Sequence, residues 1–184
     1  MADGLSADEI AAQLEPLDVA GVTTFCDSKI EQTAAIAARL SLPANPTQTS
    51  WQLVDKIAQR RALAAAGLPC PGFVGLESPA DVIAARVPLQ RLAYPVVAKP
   101  AFGWGGRDTI CLPDFPATTA ELALRRRTDP WRPIIVEEVL GDFPARDRGG
   151  FGDYVSVEVV VENGVPSVLS ITGRMPLADR KSVV

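Results

Sequence analysis

Lys99 closes the apolar run Tyr94-Pro95-Val96-Val97-Ala98 and is followed directly by Pro100-Ala101-Phe102-Gly103-Trp104-Gly105-Gly106-Arg107. This order aims a cation from a strand end at a pliable loop. Glycines without Cβ let backbone N–H groups approach phosphate oxygens, and a lysine beside them offsets part of the phosphate charge. Lys99, Gly105 and Gly106 together suit a triphosphate. A hairpin whose turn merely needs glycine accounts for the same loop equally well. No Gly-Lys-Ser or Gly-Lys-Thr follows, and no helix with an apolar start, so the Walker and dinucleotide fingerprints are both disfavoured.

A second constellation ends the run Ile134-Ile135-Val136, where Glu137-Glu138-Val139-Leu140 leaves the strand. An adenine ring needs an acceptor for its amine, an N–H for its ring nitrogen and apolar groups against its faces, and such a strand exit supplies all three. Taken alone, paired glutamates at a strand end are more often simply solvated. Asp55-Lys56, with Arg60 and Arg61 following, brings a second cation toward the same chemistry or forms an exposed charged helix face. Arg125-Arg126-Arg127 needs no ligand, because cations in a last helical turn answer the helix dipole.

Composition narrows the rest. The 184 residues are 47% hydrophobic and 22% charged, with a formal charge of -4, which suits a globular chain with a real core and disfavours a nucleic-acid partner. Met1-Ala2-Asp3-Gly4 opens without a basic cluster and apolar stretch, and no apolar run reaches the ~18 residues of a spanning helix. The expectation is a cytoplasmic protein with no membrane partner. The chain has no histidine, which removes Ser-His-Asp and Cys-His catalysis. Cys26, Cys70 and Cys111 are odd in number and widely spaced, and read as small buried apolar residues rather than a metal set.

The elements that must position these residues are legible in part. Ser6 and Glu9 form a capping box ahead of Ile10, Leu14 and Leu17. Residues 19–25 read as a strand, and Asp27-Ser28 as the cap of a helix through Leu40. Residues 42–49 read as a linker. Residues 50–66 read as one helix capped by Gly67, residues 73–74 as a short strand, and Ser78-Pro79 as the start of a helix to Val87. Strands follow over 94–99, 108–112 and 134–138, with a helix over 118–128 between the last two. Asn163-Gly164 then marks a hairpin joining 154–161 to 165–172.

Taken in order, these segments resemble the ATP-grasp superfamily, in particular carboxylate-amine ligases and their biotin carboxylase and carbamoyl phosphate synthase relatives. Asp55-Lys56 through Gly67-Leu68-Pro69-Cys70-Pro71 is similar to the family's "DK...R..L..AGVPVP" stretch, and Tyr94 to Pro100 to its "YPVVVKP" strand. The glycine loop, Val136 to Leu140 and Ser156-Val157-Glu158 follow in the family's order. The resemblance implies that Lys56 and Lys99 contact ATP, that Gly105 and Gly106 close over its phosphates, and that Glu137, Glu138, Val139 and Leu140 hold adenine. It places Asp153 near a ribose-binding acid, with an extra residue before Ser156 disturbing the match. It also implies Mg2+, held by a Glu and a Glu-x-Asn pair on strands beyond the hairpin.

The expected fold class is therefore α+β with an α/β portion: a partial ATP-grasp fold preceded by a remnant of a Rossmann-like domain. Residues 1–49 are expected to be that remnant, 50–140 the N-terminal ATP-grasp lobe and 141–178 the beginning of the C-terminal lobe. Residues 179–184, Asp-Arg-Lys-Ser-Val-Val, resemble the translation of a sequencing-library adapter and are expected to be non-native. The parent protein is expected to be an ATP-dependent ligase acting on a small carboxylate and an amine-type nucleophile, with this stretch inactive by itself and a homo-oligomer allowed. The rival expectation is a non-catalytic α/β interaction module.

Overall fold

The computed structural model describes residues 4–127, 130–140 and 154–174. Ser6 Oγ accepts the Glu9 N–H at 3.2 Å while the Glu9 carboxylate accepts the Ser6 N–H at 2.8 Å, so the capping box opens α1 (Ala7–Leu14). Residues 19–25 do not form the expected strand. No described strand lies beside them to pair their N–H and C=O groups, and an unpaired apolar run gains nothing by staying extended. A short 3-10 turn over Asp27–Lys29 then leads into α2 (Ile30–Arg39) with no side-chain cap, and α2 packs Ala34, Ile36 and Ala37 inward.

The single helix expected over 50–66 is two helices. α3 (Thr47–Val54) stops at Asp55, whose φ of -91° and ψ of 111° are extended, and α4 (Lys56–Ala65) begins at the next residue. Asp55 Oδ1 accepts the N–H groups of Ile57 at 2.8 Å and Ala58 at 3.3 Å. A carboxylate that caps the second helix offers those donors a better partner than an unbroken helix would at that point. α4 ends as expected, with Gly67 at φ +67° and Leu68 N–H donating to Leu63 O at 3.0 Å.

Six strands follow. β1 (Phe73–Leu76), β2 (Val96–Pro100), β3 (Ile110–Leu112) and β4 (Ile134–Glu138) form one antiparallel sheet in the order β1-β4-β2-β3. Between β1 and β2 lie α5 (Asp81–Ala84) and α6 (Arg86–Gln90), and between β3 and β4 lies α7 (Phe115–Arg125). The Ser78 cap is not used. The Asp81 carboxylate instead accepts the N–H groups of Glu77 and Ser78, both at 2.8 Å. α7 starts three residues before Thr118 because Asp114 caps it, accepting the Ala117 N–H at 2.8 Å.

Strand alternation gives the sheet two unlike faces. Leu76, Val96, Ala98, Leu112, Ile134 and Val136 point to one face and pack with Val82 of α5, Ala85 at the α5–α6 junction, Leu89 of α6 and Leu122 of α7. Cys26 is exposed and Cys70 and Cys111 are half-buried, so the three cysteines are not the buried residues expected. On the other face Ile57 of α4 packs with Phe73, Ile135 and Ala101. β5 (Val155–Glu162) and β6 (Val165–Gly173) form a separate two-stranded hairpin whose turn residues Asn163 and Gly164 both have positive φ, as a two-residue turn of this kind requires. Its valines and Ile171 stand exposed. No described helix is long and apolar enough to cross a membrane.

Gly75 is what lets α4 approach the sheet. A Cβ there would lie 2.8 Å from Ile57 Cγ2, and Ile57 is itself fully buried. Gly75→Ala is expected to destabilise the chain by about 1–3 kcal/mol, the cost of overpacking a filled site. Urea midpoints for the two proteins check this, and an unchanged midpoint counts against close packing of α4.

Candidate functional site

Glu137 and Lys99 stand on the two central strands. Glu137 faces Val97 across the β2–β4 ladder, and Lys99, two residues further along β2, shares that face. Lys99 Nζ forms an ion pair with Glu137 Oε1, and Arg60 Nε of α4 donates to Glu137 Oε2 at 3.0 Å. The three side chains are 11%, 9% and 20% exposed for Lys99, Glu137 and Arg60 respectively. A carboxylate placed so far from water needs such partners on both oxygens.

Lys56 joins this group through the break at Asp55. As the first residue of α4 its N–H donates to Ala101 O at 3.0 Å, and its Nζ donates to Gly103 O at 2.8 Å. Burial holds the Lys56 ammonium below the ordinary lysine range, and repulsion from Lys99 adds to this against the pull of Glu137 and Asp55. Lys56, Lys99 and Arg60 thus meet two carboxylates, of which Asp55 turns its Oδ1 to the α4 N-terminus. The patch carries excess positive charge on a partly buried face, an arrangement that favours an anion.

Arg60 was not singled out as a site residue by the sequence, although its position four residues after Lys56 puts both on one helix face. Arg61, next to it, points elsewhere and pairs with exposed Glu77. The glycine loop lies beside Lys56, with Gly103 at φ +139° and Gly105 and Gly106 both at +67°. Phe102 and Trp104 are exposed there and line a hollow of about 240 Å3 with Pro100, Arg107 and Arg132. A larger depression of about 710 Å3 runs along one face of α7, lined by Ala120, Ala123, Leu124, Arg126 and Arg127. Neither hollow is lined by Lys99, Glu137 or Leu140.

The strand exit is tethered. Glu138 Oε1 accepts the Ala93 N–H at 2.8 Å and Oε2 accepts the Gly72 N–H at 3.1 Å, while Glu138 N–H donates to Gly72 O at 2.9 Å. The Glu138 carboxylate is therefore engaged in holding backbone, and its oxygens do not stand open toward a ligand. Val139 N–H donates to Pro95 O at 3.3 Å, and the Leu140 side chain is exposed. Asp153 lies outside the described residues. Among the described residues no group of three or more His, Cys, Asp or Glu side chains converges to hold a metal ion.

No family model matches the chain. A stretch of 92 residues is 38% identical to an uncharacterized protein, y4rH, of Sinorhizobium fredii, covering 49% of this chain and 18% of that one. Among solved structures, the L-amino acid ligase from Bacillus licheniformis superposes over 95% of this chain with a TM-score of 0.67 at 22% identity. The ADP complex of the N5-carboxyaminoimidazole ribonucleotide synthetase purK superposes over 95% with a TM-score of 0.68 at 17% identity. The chain carries a partial ATP-grasp fold. It spans 37% and 43% of the lengths of those two ATP-grasp structures.

Two outcomes are expected of the site. The depressed Lys56 pKa means the unfolded chain binds more protons between the folded and unfolded values, so stability rises with pH across that window, which ends near about 10.4. Urea unfolding at stepped alkaline pH should show this rise in the unaltered chain and a shallower one in Lys56→Met; parallel curves would contradict it. Glu138→Gln leaves one backbone N–H facing an amide NH2 and should cost about 1–3 kcal/mol. A thermal midpoint equal to that of the unaltered chain would remove the tethering role.

Proposed function

We propose that this chain is the nucleotide-binding portion of an ATP-dependent ligase of the ATP-grasp kind, one that activates a small carboxylate with ATP and transfers the acyl group to an amine-type nucleophile. The observation that carries the reading is the cationic patch of Lys56, Lys99 and Arg60 around Glu137, on a partly buried sheet face beside the glycine loop. An ADP complex of a structure sharing the fold supports the choice of anion.

In this reading Lys99 and Lys56 meet phosphate oxygens, and Gly105 and Gly106 let the loop backbone lie against them. Lys56 must exchange its hold on Gly103 O for the ligand, which links nucleotide arrival to the loop. Glu137 keeps Lys99 in place. The N–H groups of Glu138 and Val139 are already held by Gly72 O and Pro95 O, so the polar edge for adenine falls to the strand-exit carbonyls and the Leu140 N–H, with Leu140 offering apolar surface while the Glu138 carboxylate fixes that backbone from behind. A carboxylate oxygen of the substrate attacks the terminal phosphorus, ADP leaves, and the amine then displaces phosphate from the acyl carbon. The protein's part is to position the reactants and neutralise charge. Magnesium, expected from the family resemblance to be held by a Glu and a Glu-x-Asn pair on strands beyond the hairpin, would help neutralise phosphate charge.

ATP at 100-fold above its Kd should stabilise the chain by about 2.7 kcal/mol. That corresponds to a rise of about 5–10 °C in the melting midpoint for a chain of this size. Lys99→Ala should abolish the rise. A protein carrying this chain with its continuing strands should release ADP and phosphate when given a carboxylate and an amine. No midpoint shift in the unaltered chain would favour the interaction-module reading, and an undiminished shift in Lys99→Ala would overturn the site.

A further inference from the structure

We infer that Arg60 is a positioning residue for nucleotide binding: it occupies Glu137 Oε2 so that Glu137 presents Lys99 to the anion instead of neutralising it. The inference rests on the nucleotide reading above. Its observations are geometric. Glu137 is 9% exposed and has one cation on each oxygen, Lys99 Nζ on Oε1 and Arg60 Nε at 3.0 Å on Oε2. Arg60 comes from α4, the same helix that begins with Lys56, so one rigid element fixes the place of Lys56 and the partner of Glu137.

The charge balance explains why the second cation matters. With Lys99 alone, a single buried carboxylate would cancel the ammonium, leaving little field for a phosphate oxygen to gain from. Arg60 takes a share of the carboxylate charge through a guanidinium that stays protonated at any working pH. The excess charge on the face then belongs to Lys99, held by Glu137, and to Lys56, held by the Gly103 carbonyl until a ligand replaces it. Removing Arg60 would also leave Glu137 Oε2 without its partner and let the carboxylate rotate, drawing Lys99 with it.

Arg61 provides an internal control. It sits on the same helix, carries the same charge, and pairs with Glu77 where both side chains are more than half exposed. Calorimetric titration of ATP into folded, purified proteins tests the idea. The unaltered chain and Arg61→Gln should share one Kd within about twofold, as expected for an exposed pair. Arg60→Gln should bind roughly 10- to 100-fold more weakly, the span of a charge-assisted hydrogen bond. Arg60→Lys should fall between, at roughly three- to tenfold, since it keeps the charge but loses the planar donor. Combining Arg60→Gln with Glu137→Gln should add little to Glu137→Gln alone, because Arg60 acts through that carboxylate.

A merely structural Arg60 would lower the melting midpoint without changing the Kd of the folded protein. An Arg60→Gln Kd equal to that of the unaltered chain would therefore overturn the inference and leave the nucleotide reading standing. An equal loss in Arg61→Gln would also overturn it, by showing that only overall charge matters. If Arg60→Gln does not fold, Arg60→Lys decides, and an unchanged Kd there overturns the inference. Failure of the unaltered chain to bind ATP would remove the nucleotide reading and this inference together.

Discussion

One nearly buried carboxylate organises this molecule. Glu137 lies in the middle of a four-stranded sheet, where an ionised group without partners would be too costly to keep. Lys99 from the neighbouring strand and Arg60 from the covering helix each take one of its oxygens. The register of β2 and β4 and the docking of α4 through Ile57 together bring both cations to that one group. A buried pair of this sort is a poor source of stability compared with apolar packing. What the carboxylate does here is hold Lys99 and Arg60 side by side on one sheet face.

The sheet is built to carry that surface. Its other face is apolar and closed by α5, α6 and α7, which anchors the central strands from behind. On the site face, α4 packs Ile57 against Gly75 and brings Arg60 over Glu137. The break at Asp55 sets where that cover begins. Because Asp55 caps α4, Lys56 emerges at the helix start and reaches the carbonyl of Gly103 in the glycine loop. Strand end, helix start and loop are thereby joined by two side chains and one cap.

The strand exit shows a different division of labour within four residues. Glu137 faces the cations, whereas Glu138, on the opposite face by strand alternation, ties β4 to the segments that precede β1 and β2. Gly72 permits this tie, since a Cβ there would come within 2.7 Å of the Glu138 carboxylate. The exposed β5–β6 hairpin stands apart from this arrangement. It shares no strand pairing with the four-stranded sheet among the described residues.

Local signals in the sequence were enough to determine most strands, the hairpin at Asn163-Gly164, the capping box of α1 and the glycine stop of α4. Each depends on residues within a few positions of one another, and the ordered motifs carried the fold. Lys56, Lys99 and Glu137 were visible as types in a pattern. Other features lay beyond the sequence because they depend on partners distant along the chain. The run at 19–25 has strand composition but pairs with no strand among the described residues. The helix break at Asp55 matters because the Lys56 N–H finds Ala101 O. Arg60 and Arg61 are adjacent and chemically alike, yet only Arg60 meets Glu137, 77 residues away. Likewise Glu137 and Glu138 read as a matched pair until the pleat sends one toward the cations and the other into the backbone. The sequence supplies the charges and local turns, but tertiary packing decides which charges share a low-dielectric site, since that depends on distance in space.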